Sequence, residues 1–227
     1  MRLRLIAVLA VSVAGIVTLA GGFFLLTEPG LRILVAQASS LAPGTLTVDQ
    51  ARGRVAGPMH LNGVRYVDGD LVVEAADLTA DLVLSSFLAG RVDLAEVAVS
   101  GLAVRLPPSS EDKAPDREWP SEIRTPLTLR LHGGVVEDVT IIPHQGDPVV
   151  IERIAASGAI GRKGLSVDSL AVTREALVLD VSGRIRNDYP QPVDIRYAWS
   201  LEPEDRASFQ GDGEITGSWT ALTVRHR

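Results

Sequence analysis

Three regimes of hydrophobic patterning divide the chain. From Leu5 to Leu26 no charge occurs over 22 positions, and as a helix that run reaches about 33 Å, enough to cross roughly 30 Å of hydrocarbon once. Arg2 and Arg4 stand ahead of it, and Glu28 is the first charge behind it. The positive-inside bias therefore predicts a cytoplasmic N-terminus (1–4), a transmembrane signal-anchor (5–26) and the bulk of the chain on the far side of the membrane. Two other readings compete. A cleaved signal peptide would end near Thr18-Leu19-Ala20, yet Phe23, Phe24, Leu25 and Leu26 carry the apolar run well past that site. A buried core helix would show a polar face, and this run has none.

The second regime covers residues 27–43. Thr27 is an N-cap candidate, Pro29 suits a first helical turn, and Leu31, Leu34, Val35, Ala38 and Leu41 recur at three- and four-residue steps before Pro43-Gly44. This predicts a short amphipathic helix whose greasy face packs on the end of a sheet; the headgroup layer is the alternative.

From residue 44 onward the period falls to two, and short alternating runs are separated by Gly, Pro, Asn and Asp. A first β segment (44–106) holds Leu46 and Val48, then Met59, Leu61, Val64 and Tyr66, then Leu71, Val73, Leu78 and Leu82. Ser85 to Gly90 reads as one helical turn closed by glycine. Val92 to Val99 predicts a strand, Ser100-Gly101 a kink, and Leu102, Val104 and Leu106 a further strand. Residues 107–126 are rich in proline and charge, with little to bury beyond Trp119 and Ile123, and predict an exposed linker or loop. A second β segment (127–227) follows with Leu127, Leu129 and Leu131, later Leu177, Leu179 and Val181, and then its clearest run, VDIRYAWSL. There Val193, Ile195, Tyr197, Trp199 and Leu201 share one face. Ile215, Trp219, Leu222 and Val224 close the series.

About a dozen strands and so few helices pose a covering problem, because a sheet with one apolar face must bury it. It can fold over a second sheet as a sandwich, close into a barrel, or curl into an open trough filled by a partner or by lipid tails. Periodicity alone ranks the sandwich first and the trough last.

Composition narrows the chemistry. The absence of cysteine excludes disulfides, Cys-ligated zinc and thiol catalysis. The formal net charge of −6 argues against a nucleic-acid surface. His60, His132, His144 and His226 have no zinc-ligand spacing, Gly211-Asp212-Gly213 lacks the rest of a phosphate loop, and the acidic residues are scattered. The expectation is a protein with no catalytic residues, no metal and no cofactor. Tyr197 and Trp199 read as core residues rather than a stacking platform.

The order of parts carries more information than any single motif. An anchor, a helix ending in Pro-Gly, a strand into Gly53-Arg54-Val55-Ala56-Gly57, the stretch from Leu78 to Leu106 with its SSFLAG turn and VDLAEVAVSGLAVRL strand, a proline-rich break and then repeating strands resemble the N-terminal portion of the TamB family, within the wider AsmA-like group. That resemblance implies a mainly β protein of the bridge-like lipid-transfer kind, anchored in the bacterial inner membrane with its bulk in the periplasm. It implies an open antiparallel trough binding phospholipid acyl chains, so it reverses the ranking of coverings. It also implies lipid transport toward the outer membrane, and outer-membrane protein assembly or secretion with a TamA-type barrel partner engaged through a C-terminal region absent here. Family members are far longer, so a fragment is expected. Under this resemblance Leu127, Leu129, Leu131, Leu177, Leu179, Val181, Val193, Ile195, Tyr197, Trp199 and Leu201 would face lipid, with Arg2 and Arg4 setting topology. A non-transporting scaffold of an envelope complex and a secreted or periplasmic β-sandwich binding protein are the alternatives.

Overall fold

A computed structural model describes residues 26–108, 127–203, 207–218 and 220–227. The topology arginines, almost all of the membrane run, most of the predicted linker and Trp219 lie outside the described residues. Among the described residues no helix is long and apolar enough to cross a membrane.

Helix α1 (Glu28–Leu41) begins where the sequence places its cap. The Gly30 N–H donates to Thr27 Oγ1 at 3.2 Å and the Leu31 N–H to the Thr27 carbonyl at 3.1 Å, so two N-terminal donors are satisfied. The helix lies on the first strand of the sheet. Leu31 is buried there, and Arg32 donates from Nε to the Ala51 carbonyl at 3.4 Å. The sheet end is thus covered on one side of one edge strand, while Ile33 and Leu34 stay exposed.

The rest is a single 11-stranded sheet in sequence order: β1 (Thr45–Gly53), β2 (Pro58–Asp68), β3 (Leu71–Val83), β4 (Arg91–Arg105), β5 (Thr128–Ile142), β6 (Val149–Gly161), β7 (Gly164–Arg174), β8 (Leu177–Arg186), β9 (Pro192–Leu201), β10 (Phe209–Ser218) and β11 (Ala221–His226). A 3-10 turn, Leu84–Ala89, joins β3 to β4 and ends on Gly90 in the left-handed region (φ 68°), as the SSFLAG pattern predicts. Ser86 fixes it: its hydroxyl donates to the Val83 carbonyl at 2.6 Å and accepts the Asp93 N–H at 3.0 Å.

Three expectations need correction. Among the described residues no sandwich forms, because every strand belongs to one open curled sheet whose first and last strands do not pair. Among the described residues substantial contacts between elements run only between neighbouring strands, from α1 to β1 and from the 3-10 turn to β4, and no large side chain is fully buried. The sheet is also not wholly antiparallel: β4 and β5 pair in parallel, from Arg91↔Thr128 to Arg105↔Ile142. A parallel pair needs a crossover, and β4 of 15 residues is about 50 Å long. Finally, the kink at Gly101 does not end a strand, since β4 runs through it.

The kink belongs to a line that crosses six strands. Aligned in register, Asp49, Gly63, Ala76, Gly101, Asp138 and Glu152 fall opposite one another, and ladder pairing skips this line at every junction from β1 to β6. Three of the six, Gly63, Gly101 and Asp138, have φ of 62°, 62° and 55°. The hydrophobic period slips by one residue at the same line: Val48 then Ala51, Leu61 then Val64, Ala75 then Leu78, Val99 then Leu102, Val136 then Val139, Ile151 then Ile154. An added residue re-phases the pleat, so slip and line together keep apolar side chains on one side of the sheet.

Candidate functional site

Register decides which apolar residues meet, because directly opposed residues project from the same face. One continuous row reads Ala51, Leu61, Leu78, Val99, Val136, Ile154, Val172, Leu179, Trp199 and Gly211 on β1 to β10. A parallel row two residues away reads Gly53, Met59, Ala80, Val97, Gly134, Ala156, Leu170, Val181, Tyr197, Gly213 and His226, and so touches every strand. Two further rows continue the pattern, one from Leu82 through Leu94, Leu131, Val167 and Ile195 to Val224, the other from Val92 through Leu129, Ile160, Leu165, Ile185 and Val193 to Leu222. Bulges at Asp81/Leu82, Leu131/Gly134, Ser157/Gly158 and Val167/Leu170 keep these rows aligned where the strands would otherwise fall out of phase.

The four rows contain no Asp, Glu, Lys or Arg. They form an uncharged lane about 20 Å wide and about 48 Å long, from two-residue steps along the strands and the spacing between them. Apart from Ala51 and Val193, which are buried, its side chains are half-buried or exposed, with Leu129 at 40% and Val224 at 62% exposure. Eight of the eleven residues picked out for this face from the sequence lie in these rows; Leu177 and Leu201 face one another in the next row, where Leu177 also pairs with Arg174, and Leu127 sits just ahead of β5, in a bend. What the sequence did not yield is the larger half of the lane, on β1 to β4, β6, β7, β10 and β11. Those residues alternate as visibly as the chosen ones, but their alternation does not say which strands lie side by side.

Tyr197 and Trp199 are neither core nor an open stacking platform. Their rings lie across β10, whose glycines leave the room: a Cβ at Gly213 would come within 2.5 Å of the Tyr197 ring, and one at Gly211 within 2.8 Å of Trp199 Nε1. Both rings stack on His226 of β11, with centroids at 5.9 and 6.3 Å, and the Tyr197 hydroxyl lies 3.3 Å from His226 Nδ1. The aromatic cluster ties the last three strands together on the lane side.

The opposite face is polar, and its ion pairs are directly opposed cross-strand partners: Arg65 with Glu74, Glu137 with Arg153 and Glu214 with Arg225, at 3.0, 3.0 and 2.7 Å. All are solvent-exposed and individually weak. Asp93 is the exception in burial; Arg91 Nε sits 3.1 Å and His132 Nε2 3.9 Å from its Oδ2, while Oδ1 has no partner among the described residues. The other three histidines lie apart from it, on β2, on the β5–β6 connection and on β11.

The hydrogen bond from Arg225, backed by its charge and those of Arg227 and Arg196, holds the Glu214 carboxyl below the usual carboxylate range. A depressed folded value means that the pair steadies the edge strand at neutral pH and stops doing so as pH falls through that folded value. In a carboxyl NMR titration Glu214 therefore shows a midpoint below the ordinary value of about 4.3. Arg225→Gln moves it back up; an unchanged midpoint in that variant would remove Arg225 as the cause.

One layer of sheet, open to solvent on an uncharged face and charged on the other, defines a single-sheet β protein built to present apolar surface rather than to enclose it. Residues 16–182, more than half of the chain, match the family model described as TamB, N-terminal domain, and the chain belongs to that family. Among curated proteins none matches it.

Proposed function

We propose that this protein is a non-enzymatic, inner-membrane-anchored periplasmic member of the TamB family, and that its lane carries the acyl chains of phospholipids moving between the inner and outer membranes. The observation that carries this reading is the absence of any charged side chain from four adjacent rows that together reach from β1 to β11. A scaffold that only positions a partner tolerates charges along such a face, whereas a conduit for hydrocarbon does not, because an unpaired charge raises the cost of every chain that passes. The dimensions agree. Half of the roughly 30 Å bilayer core is about the reach of one acyl chain, so a lane of about 48 Å holds about three in series. Each methylene taken from water contributes about 0.8 kcal/mol. An outer-membrane barrel of the TamA type is the partner that such a conduit would serve.

Photo-crosslinkers at Leu78 and Ile195, on β3 and β9, test the lane at two separated points. Phospholipid adducts at both are expected; adducts to protein alone at both would leave the scaffold standing and the conduit without support. For the anchor, a reporter active only in the periplasm and fused after Arg227 is expected to work, with the intact chain retained in membranes after carbonate washing. Release of a shorter form beginning near Gly21 would instead establish a cleaved signal peptide.

A further inference from the structure

On the polar side, at the end of β5 to β8, five cations surround a hollow of about 760 Å³: Arg130 on β5, Arg162 and Lys163 in the β6–β7 turn, and Arg184 and Arg186 at the end of β8. We propose that this hollow binds a phosphate group, that of a phospholipid headgroup or of a free phosphoester.

The register builds its floor from small residues. Arg130 and Arg184 lie at the two ends of one cross-strand row, with only Ala159 and Ser166 between them, and Arg186 faces Gly164. Long basic side chains therefore rise around an open floor. The turn that carries Arg162 and Lys163 is fixed to β8, because Asn187 donates from Nδ2 to the Arg162 carbonyl and from its backbone N–H to the Lys163 carbonyl, each at 3.2 Å. All five cations are exposed, and none makes an ion pair with a described carboxylate. Only Asp168 and Asp188 add negative charge to the wall. On a chain of net charge −6 this is a local reversal of sign. Guanidinium groups lining one hollow offer forked N–H donors that suit phosphate oxygens better than a lone carboxylate. Leu165 and Ile185, members of the outermost apolar row, also reach the wall, so charged and apolar surface meet at this rim as they do in a phospholipid. The headgroup source rests on the lane reading; phosphate binding does not.

Lys163 reports on the site directly, because the chain has a single other lysine, Lys113. The purified full chain in a neutral sugar detergent is labelled with an amine-reactive reagent and read by mass spectrometry. The expected result is that sn-glycerol 3-phosphate slows labelling of Lys163 severalfold but not of Lys113, and that glycerol does neither. Mixed micelles containing phosphatidylglycerol protecting Lys163 at lower concentration than the soluble phosphoester, while diacylglycerol of the same chains does not protect, would assign the headgroup as the source; protection by glycerol phosphate alone would assign a free phosphoester. In the triple variant Arg130→Gln, Arg184→Gln, Arg186→Gln the half-protecting concentration rises about fivefold per cation removed. Equal labelling of Lys163 under every condition, or undiminished protection in a folded triple variant, overturns the proposal. Absence of lipid adducts at Leu78 and Ile195 would sink the lane while leaving protection by glycerol phosphate intact, so the two failures are distinguishable.

Discussion

Ile195→Glu yields a folded protein that no longer captures lipid along its lane. Ile195 lies half-buried in the middle of β9, between Gly183 of β8 and Ile215 of β10, on the face where nothing in the described structure covers it. Water reaches a carboxylate there, so the fold avoids the full penalty of an enclosed charge. In a sandwich the same carboxylate would face a second sheet, lose several kcal/mol and unfold a domain of ordinary stability. Hydrocarbon does meet the penalty. Each chain crossing β9 would have to desolvate the carboxylate or leave a gap of several methylenes in contact with water, at about 0.8 kcal/mol apiece, and three such groups already amount to more than a tenfold loss. Circular dichroism is expected to show an unchanged β spectrum, with phospholipid adducts from a crosslinker at Val181 falling by at least that factor. A folded variant with undiminished adducts would show that this stretch of the lane is not on the path.

The second large effect concerns the line where the pleat is re-phased. Gly101→Val is expected to destabilise the sheet by about 2 kcal/mol, because a β-branched residue is forced into the left-handed region. The new Cβ would also come within 3.0 Å of Ala76 Cβ on β3. Gly63→Val should cost more, since its Cβ would run into the Asp49 carboxylate of β1 as well as adopting φ of 62°. Asn at position 101 is the control, because asparagine tolerates this conformation, and it should recover most of the loss. Urea midpoints measured on the three variants provide the comparison. Equal stability of Gly101→Val and Gly101→Asn would mean that the left-handed backbone is not what position 101 requires.

The same line shows how far reading a chain one strand at a time can go. Val99 followed by Leu102 breaks a period of two, and so do Leu61 with Val64 and Ala75 with Leu78. Each break resembles a local kink and, on β4, the boundary between two strands. Only alignment of the breaks across six strands reveals a single feature of the sheet. Gly101 then proves to bend a strand without ending it, and Asp138 to do the same without being glycine.

Sequence alone settled what depends on near neighbours. The 14 residues of α1, the turn from Leu84 to Ala89 and the alternation in VDIRYAWSL follow from capping, glycine punctuation and a two-residue period, all of which act within a few positions of the backbone. It also settled the family, through the order of those parts. Tertiary structure alone decided that β4 and β5 run parallel, that among the described residues no second sheet covers the first, and that Ala51 of β1 and Trp199 of β9 belong to one row. Alternation tells each strand which side chains share a face but contains nothing about its neighbour, and that choice is made by hydrogen bonds between segments remote in the chain. Arg130 and Arg184 are 54 positions apart in sequence and stand around one hollow for the same reason.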